Sequence, residues 1–324
     1  MSERVLVTEP IIPEVIEKLE NQYQVDVGKS GTYDNEEALI NDIPAYDALL
    51  PMLSNPISED VITAGTNLKV IANHAVGYNN INVKAAIKED IAVANTPGVL
   101  TDSCAEFTIG LMLAVSRRLF DAQEYLLDGK FENWEPLGFL GTELNGNTLG
   151  IIGMGRIGTG VARRAKALGM NICYHNRSRV SPEIEQELNA SYCSSIKELA
   201  SQSNFISLHC PLTDDTHHLI DHEILDVMNS NTILINTSRG PVVDEEALAH
   251  ALHNKTIGGA GLDVFEDEPK LHPKLKTAPN CVLTPHIASA SYQTRKDIGL
   301  LAADAIIGIL EGKSHSEIPN LIQP

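Results

Sequence analysis

Three glycines near the middle of the chain are spaced to bind a phosphate group. Gly153, Gly155 and Gly158 form the pattern G-x-G-x-x-G directly after an apolar run at 149–152. Between a strand and a helix, the first glycine permits a tight turn, the second lets a pyrophosphate approach, and the third lets the helix pack closely. The N–H groups at the helix start then attract phosphate. The spacing favours dinucleotide binding over its alternative, an ordinary strand-to-helix turn.

The elements around this turn occur in the order that a dinucleotide site requires. Residues 156–168 favour a helix, and Gly169 stands where a C-terminal glycine belongs. Residues 171–175 form the next apolar run. The predicted succession of strand, turn, helix and strand is more specific than the glycine pattern alone.

Length and composition narrow the class of protein. A chain of 324 residues exceeds one typical core, so we expect two domains. The formal charge of −19 argues against nucleic acid or an anionic membrane as a partner. No apolar run approaches the ~18 residues of a membrane span, and from the first residues we expect no signal peptide. The five cysteines are scattered, so we expect reduced thiols in a cytoplasmic protein.

Strand and helix patterns alternate on both sides of a break near residue 98. The alternation predicts an α/β fold of two doubly wound parallel-sheet domains, with an active-site cleft between them. The substrate domain is predicted at 1–100, with 291–324 returning to it, and the dinucleotide-binding domain at 101–290. Asp221 and Asp244 are expected to cap two helices of the second domain.

Two segments between the predicted sheets carry further expectations. Residues 103–106 form a capping-box pattern, which predicts one helix running to about Leu127. Residues 129–147 are rich in glycine and aromatic residues. They fit an arm that contacts a second subunit, or a loop packed on its own domain.

Five ordered segments together resemble the D-2-hydroxyacid dehydrogenase family over nearly the whole chain. The segments are 148–158, which contains the glycines, 209–213 (His-Cys-Pro-Leu-Thr), 236–240 (Asn-Thr-Ser-Arg-Gly), 261–269 (Gly-Leu-Asp-Val-Phe-Glu-Asp-Glu-Pro) and 283–289 (Leu-Thr-Pro-His-Ile-Ala-Ser). Residues 73–80 and 95–101 are most similar to the glyoxylate/hydroxypyruvate reductase branch. The resemblance implies a Rossmann-type cofactor domain, a flavodoxin-like substrate domain and reduction of a small 2-oxo acid to the D-2-hydroxy acid.

The resemblance also implies which residues perform the reduction. Arg239 is implied as the clamp for carboxylate and carbonyl oxygens. His286 is implied as the proton donor, and Glu268 as the acceptor that orients its ring. Without the motifs, Arg239 fits a surface arginine and His286 a structural histidine. Ser238 has no partnered base of a hydrolase, and the remaining histidines show no metal-ligand spacing, so no metal is expected.

The fingerprint and the resemblance together predict the ligand contacts. The predicted cofactor contacts are Thr101, Gly153, Gly155, Arg156, Ile157, Gly158, Asn176, Arg177, Ser178, Arg179, His209, Pro211, Thr216, Thr237, Ser238, Arg239, Asp263 and His286. Within this set, Asp263 is implied to face the nicotinamide. The predicted substrate contacts are Leu53, Val76, Gly77, Leu100, Arg239 and His286.

Residues 176–179 bear on the choice of cofactor. NAD-selective sites place an acid about 20 residues after the glycines, where it bonds the ribose 2′-hydroxyl. Asn176 stands there instead, and Arg177, Ser178 and Arg179 follow it. Because these residues offer positive charge and no repulsion to a 2′-phosphate, we predict that NADPH is preferred and NAD is possible. A solvated loop is the alternative.

Other functions remain compatible with this pattern. The same fold serves dinucleotide-sensing regulatory proteins, and it also serves dehydrogenases for larger 2-oxo acids of the D-lactate/phenylpyruvate type. Formate or phosphite oxidation is less favoured, because the formate enzymes carry glutamine where Glu268 stands. We expect a homodimer that binds a small 2-oxo or 2-hydroxy acid.

Overall fold

The computed structural model describes residues 3–322, which form two compact units. One unit contains the residues up to Leu100 and those from Ala290 onward, and the other is Thr101–Ser289. Both contain a parallel sheet covered by helices, which confirms the predicted α/β fold of two parallel-sheet domains.

The first unit is built on a five-stranded sheet in the order β2-β1-β3-β4-β5. Its strands are β1 Arg4–Val7, β2 Gln24–Val27, β3 Ala48–Leu50, β4 Val70–Ala72 and β5 Ala92–Ala94. Its helices are α1 Pro13–Glu20, α2 Glu36–Asp42, α3 Glu59–Ala64, α4 Val83–Lys88 and α12 Tyr292–Leu310. Strands β3, β4 and β5 are buried along their whole length, as expected for a parallel sheet covered on both faces. Helix α12 packs against α1 and β4 of this unit.

The second unit is built on a seven-stranded sheet in the order β12-β11-β10-β9-β6-β7-β8. Its strands are β6 Thr148–Ile152, β7 Asn171–His175, β8 Ser191–Tyr192, β9 Phe205–Leu208, β10 Ile233–Asn236, β11 Gly259–Leu262 and β12 Cys281–Leu283. The order of the strands reverses between β6 and β9. Ligands of open α/β sheets bind outside the carboxyl ends of the strands at such a reversal.

Two helices of the second unit precede its first strand, and the other five lie between its strands. They are α5 Thr101–Ser116, α6 Leu119–Leu127, α7 Arg156–Ala167, α8 Pro182–Leu188, α9 Ile196–Gln202, α10 His222–Asp226 and α11 Glu245–His253. The two expected caps are present. Asp221 accepts from the N–H of Ile224 at 3.0 Å, and Asp244 accepts from the N–H of Ala247 at 2.9 Å.

The prediction of one helix from residue 103 to Leu127 is wrong. Helix α5 already begins at Thr101, so Ser103 lies in its first turn, where its hydroxyl donates to the carbonyl of Ala288 at 3.2 Å. The helix ends at Ser116, and Arg118 adopts a left-handed conformation with φ +52° before α6 begins. A left-handed arginine interrupts a helix, and no glycine or proline marks the position in the sequence.

Residues 129–147 contain no helix or strand, and several of their apolar side chains are exposed. Trp134 exposes 80% and Leu137 exposes 79% of its surface. None of the five cysteines forms a disulfide within residues 3–322, and the described residues contain no cluster of metal-ligating side chains. None of the described helices is long and apolar enough to cross a membrane.

Candidate active site

The glycine turn lies at the carboxyl end of β6, and each glycine meets a different steric demand. Gly153 has φ +93°, and a Cβ there would lie 2.5 Å from the amide nitrogen of Cys210. A Cβ on Gly158 would lie 2.5 Å from the carbonyl oxygen of Gly153. A Cβ on Gly155 would meet no atom of residues 3–322 within 4 Å, apart from its chain neighbours, which leaves open space over the start of α7. This arrangement fits a pyrophosphate on the helix N-terminus.

The 176–179 loop follows β7, and its two arginines differ in their bonding partners. Asn176 accepts a hydrogen bond from the N–H of Met154 at 2.6 Å, which ties the loop to the glycine turn. Arg179 is bound through two nitrogens to the carboxylate of Glu185. Arg177 is exposed, and it makes no ion pair with any residue between 3 and 322. The sequence prediction missed Glu185, and it therefore treated the two arginines alike.

The loop after β9 carries three more predicted cofactor contacts. The ring of His209 meets the Ser207 hydroxyl at 2.8 Å, and burial lowers the pKa of His209 to about 4. At neutral pH this imidazole is therefore uncharged. Thr216 closes the loop by donating from its hydroxyl to the carbonyl of Pro211 at 2.7 Å.

The end of β10 places a set of hydroxyl groups beside α5. Thr237 meets Thr108 of α5, with 3.0 Å between the hydroxyl oxygens. The Ser238 hydroxyl donates to the Asn236 side chain at 2.8 Å, so it is not paired with a base. Thr101, another predicted cofactor contact, is the first residue of α5.

Arg239 follows at this strand end and is half-buried. One of its guanidinium nitrogens donates to the carbonyl of Ser238 at 2.7 Å. The next residue must be glycine, because a Cβ on Gly240 would lie 1.8 Å from the carbonyl carbon of Phe265. Burial lowers the pKa of Arg239, although the charge of Glu268 opposes this effect. A cation held in such surroundings gains from binding an anion.

His286 and Glu268 form a hydrogen-bonded pair in this unit. His286 Nδ1 lies 2.9 Å from Glu268 Oε2, and the other oxygen of Glu268 accepts from the Phe265 N–H at 3.0 Å. The side chains keep 35% and 36% of their surface exposed. Burial raises the pKa of Glu268, but the contacts with His286, Phe265 and Arg239 outweigh burial and lower it overall. The carboxylate is therefore ionised at neutral pH and can accept from Nδ1–H, which leaves Nε2 for a ligand.

Asp263 organises the segment that presents His286. Its buried carboxylate accepts from the Thr284 hydroxyl at 2.6 Å, the Ile287 N–H at 2.8 Å and the Ala288 N–H at 2.8 Å. Between these anchors, His286 has φ +54°, the left-handed region. The sequence prediction assigned Asp263 to the nicotinamide side of the cofactor. In the structure, donors of the chain itself contact both carboxylate oxygens. The sequence signal for this role was a polar residue directly after each of the adjacent strands, Asp263 after β11 and Thr284 after β12.

The predicted substrate contacts of the first unit lie after β3, after β4 and at the end of the first of its two chain segments. Leu53 is half-buried and Leu100 is buried. The carbonyl oxygens of Val76 and Gly77 accept from the side chains of Asn95 and Asn73, each at 2.7 Å. Their N–H groups have no acceptor among the described residues. Two adjacent N–H groups of this kind suit an anionic oxygen.

The second unit matches a known family along most of its length. Residues 109–288 match the model of the D-isomer specific 2-hydroxyacid dehydrogenase, NAD binding domain. The chain belongs to this family. It is therefore an NAD(P)-dependent oxidoreductase, as the five sequence motifs predicted.

Individual relatives of this dehydrogenase extend the match to the full chain. A glyoxylate reductase of Korarchaeum cryptofilum is 43% identical, over 99% of this chain and 96% of the relative. A glyoxylate reductase of Thermococcus litoralis is 41% identical, over 99% and 97%. The solved NADPH-dependent glyoxylate/hydroxypyruvate reductase of Sinorhizobium meliloti, in complex with NADP and malonate, is 32% identical with a TM-score of 0.87, covering 100% of both chains. The predicted similarity to this branch of the dehydrogenases is confirmed.

Proposed function

We propose that this dehydrogenase reduces a small 2-oxo acid, glyoxylate or hydroxypyruvate, to the D-2-hydroxy acid with NADPH. The observation that carries the proposal is the His286–Glu268 pair at 2.9 Å, with the cation of Arg239 close enough to act on the same carboxylate. A proton donor and an anion clamp are what 2-oxo acid reduction requires of the protein. The names of the two archaeal relatives support the choice of substrate.

In this proposal, Arg239 binds the carboxylate and the carbonyl oxygen of the substrate. Partial burial strengthens the attraction between its guanidinium and an anionic substrate, because less water screens the two charges. The planar group can bond two oxygens at once, which fixes the orientation of the carbonyl carbon.

His286 supplies the proton that the developing alkoxide needs. The ionised carboxylate of Glu268 holds Nδ1–H and stabilises the charged ring, so that Nε2 carries the transferred proton. When bound, the reduced nicotinamide supplies the hydride to the carbonyl carbon. Each turnover then consumes one hydride and one proton.

We further propose that the cofactor lies along the carboxyl ends of the second unit's strands. The open backbone at Gly155 receives the pyrophosphate, and Arg177 and Ser178 receive the 2′-phosphate beside Asn176. The other proposed contacts are Thr101, Arg156, Ile157, His209, Pro211, Thr216, Thr237, Ser238 and Asp263. In this assignment residues 101–290 are the dinucleotide-binding domain, and 1–100 with 291–324 are the substrate domain.

The first unit contributes substrate contacts in the same proposal. The N–H groups of Val76 and Gly77 bind the carboxylate, since both carbonyls are tied back by asparagines. Leu53 and Leu100 are assigned to the variable end of the substrate from the family resemblance alone.

We propose a homodimer that uses residues 126–140 as its contact. Leu126, Leu127, Phe131, Trp134 and Leu137 all expose more than half of their surface. Exposed apolar side chains at this density are typical of surfaces that bind another protein. Sedimentation analysis of the full chain checks the prediction, and a monomer at micromolar concentration contradicts it.

The test of the proposed function is NADPH oxidation followed at 340 nm. We expect turnover with glyoxylate and hydroxypyruvate, and lower kcat/KM with pyruvate and phenylpyruvate. Binding of NADPH without turnover of any 2-oxo acid would favour a dinucleotide-sensing protein instead.

A further inference from the structure

A carboxylate from α8 neutralises one arginine of the 176–179 loop. Arg179 Nε donates to Glu185 Oε1 at 3.0 Å, and Arg179 Nη2 donates to Glu185 Oε2 at 2.9 Å. The hydroxyl of Tyr174 also donates to Oε1, and this hydroxyl accepts from the N–H of Val180 at 3.1 Å. The guanidinium lies 5.3 Å from the ring centroid of Tyr192. Arg179 is therefore fixed in place, and its charge is compensated.

Arg177, two residues earlier, differs from Arg179 in its charged neighbours. It is exposed, and no carboxylate of the described chain pairs with it. Asn176 anchors the loop to the N–H of Met154 at 2.6 Å, which keeps Arg177 near the glycine turn. Arg177 thus offers an uncompensated cation, whereas Arg179 offers an ion pair whose carboxylate repels a phosphate dianion.

We infer that Glu185 is a positioning residue for cofactor specificity, which withholds Arg179 from the 2′-phosphate. The preference for NADPH is then set by Arg177, and Glu185 limits how strong that preference is. This inference rests on the proposed use of the 176–179 loop for the 2′-phosphate, and it adds a residue of α8 that acts on the cofactor only through Arg179.

The pair persists at the pH of an assay. The hydrogen bond from Arg179, together with that from Tyr174, lowers the pKa of Glu185. The carboxylate stays ionised at neutral pH, so its protonation does not release the arginine. Because a bidentate carboxylate–guanidinium pair is geometrically matched, a phosphate on Arg177 does not by itself displace it.

The decisive variant is Glu185→Gln, which keeps an acceptor for Tyr174 and removes the charge that holds Arg179. Calorimetry should compare binding of adenosine 2′,5′-bisphosphate with binding of AMP, since only the former carries the 2′-phosphate. We expect bisphosphate affinity to rise about tenfold, the effect of one additional charged hydrogen bond, with AMP affinity within about twofold. In kinetics, the KM for NADPH should fall, while the KM for NADH and kcat stay the same.

Glu183→Gln is the matched control. Glu183 lies on the same helix, is exposed, and its hydrogen bond is with Ser181 rather than an arginine. This variant removes the same charge two residues away without releasing Arg179. The bisphosphate-to-AMP ratio should therefore change by less than about twofold, because an unpaired surface charge at this distance is screened.

A second substitution identifies the arginine responsible. In the Glu185→Gln background, Arg179→Ala should remove the gain in bisphosphate affinity. The inference is overturned if the ratio does not rise in Glu185→Gln, if both probes weaken equally, or if the gain survives Arg179→Ala. If Glu185→Gln does not fold, the single variants decide: Arg177→Ala must lower bisphosphate affinity more than Arg179→Ala, and the reverse order contradicts the inference. A wild-type enzyme that prefers NADH would refute the proposed cofactor, whereas the binding ratios would still test Glu185.

Discussion

Replacing Asp263 with asparagine should impair proton transfer, although the two side chains have nearly the same volume. The carboxylate accepts three hydrogen bonds, from Thr284, Ile287 and Ala288. An asparagine oxygen can keep the two bonds to one side, but its NH2 group then faces the N–H of Ala288, donor against donor. At least one bond to a charged group is lost, at a cost of about 1.5–3 kcal/mol.

The left-handed backbone of His286 makes this loss matter. A non-glycine residue at φ +54° costs about 1–2 kcal/mol, which the neighbouring bonds to Asp263 offset. Losing one of them removes more than this strain, so the segment relaxes and His286 leaves its position. If the whole loss falls on the state that presents His286, kcat drops about 10- to 150-fold.

Steady-state kinetics and amide hydrogen exchange together test this prediction. In Asp263→Asn, kcat should fall, and the amides of Ile287 and Ala288 should exchange faster than in wild type. The control is Thr284→Val, which removes one donor, leaves both amide bonds to Asp263, and should lower kcat by less than about tenfold. A kcat within twofold of wild type refutes the positioning role. A raised KM for NADPH with unchanged kcat would instead assign Asp263 to the cofactor.

Four further predictions concern His286, Glu268, His74 and Arg177. His286→Ala should lower kcat by about 10²–10⁴-fold. Glu268→Gln should lower kcat less than His286→Ala does, because glutamine keeps an acceptor for Nδ1–H but loses the charge; both variants are measured by NADPH oxidation. His74 is buried, with its pKa lowered to about 4 from 6.5 by burial and the charge of Arg295. Because the unfolded chain takes up this proton first as pH falls, His74 should remove about 2 kcal/mol of stability between pH 8 and pH 5. Urea unfolding of wild type and His74→Gln at both pH values checks this, and equal losses in the two proteins would contradict it. Arg177→Ala should lower kcat/KM for NADPH at least tenfold more than for NADH, and a parallel loss would disprove its role.

Local sequence patterns were sufficient to predict much of the fold. The apolar runs at 48–50, 70–72 and 233–236 are buried strands, because fully covered parallel strands need no polar alternation. Asp221 and Asp244 cap helices through bonds three residues away, a spacing that the sequence displays directly. The glycine spacing likewise predicted a turn whose steric limits are local.

Features that depend on residues far apart in the chain, or that no residue type marks, could not be predicted from the sequence. The break at Arg118 has no glycine or proline to mark it, so one predicted helix became two. The short helices α3, α4 and α8 lack an extended apolar period and were missed. Missing α8 meant missing Glu185, and with it the difference between Arg177 and Arg179. The contacts of Asp263 join residues 21–25 positions apart, in the segments that follow the adjacent strands β11 and β12, and only the sheet order brings these segments together.

The most direct test of the account is the reduction of hydroxypyruvate by the wild-type chain, with the product analysed on a chiral column. The geometry of Arg239, Glu268 and His286 in a D-isomer specific family predicts turnover that yields D-glycerate. The exposed Arg177 predicts a kcat/KM with NADPH at least tenfold higher than with NADH. Formation of L-glycerate, or no oxidation of either cofactor in the presence of hydroxypyruvate or glyoxylate, would contradict the central claim. Equal or better efficiency with NADH would leave the reductase standing and refute the assigned cofactor.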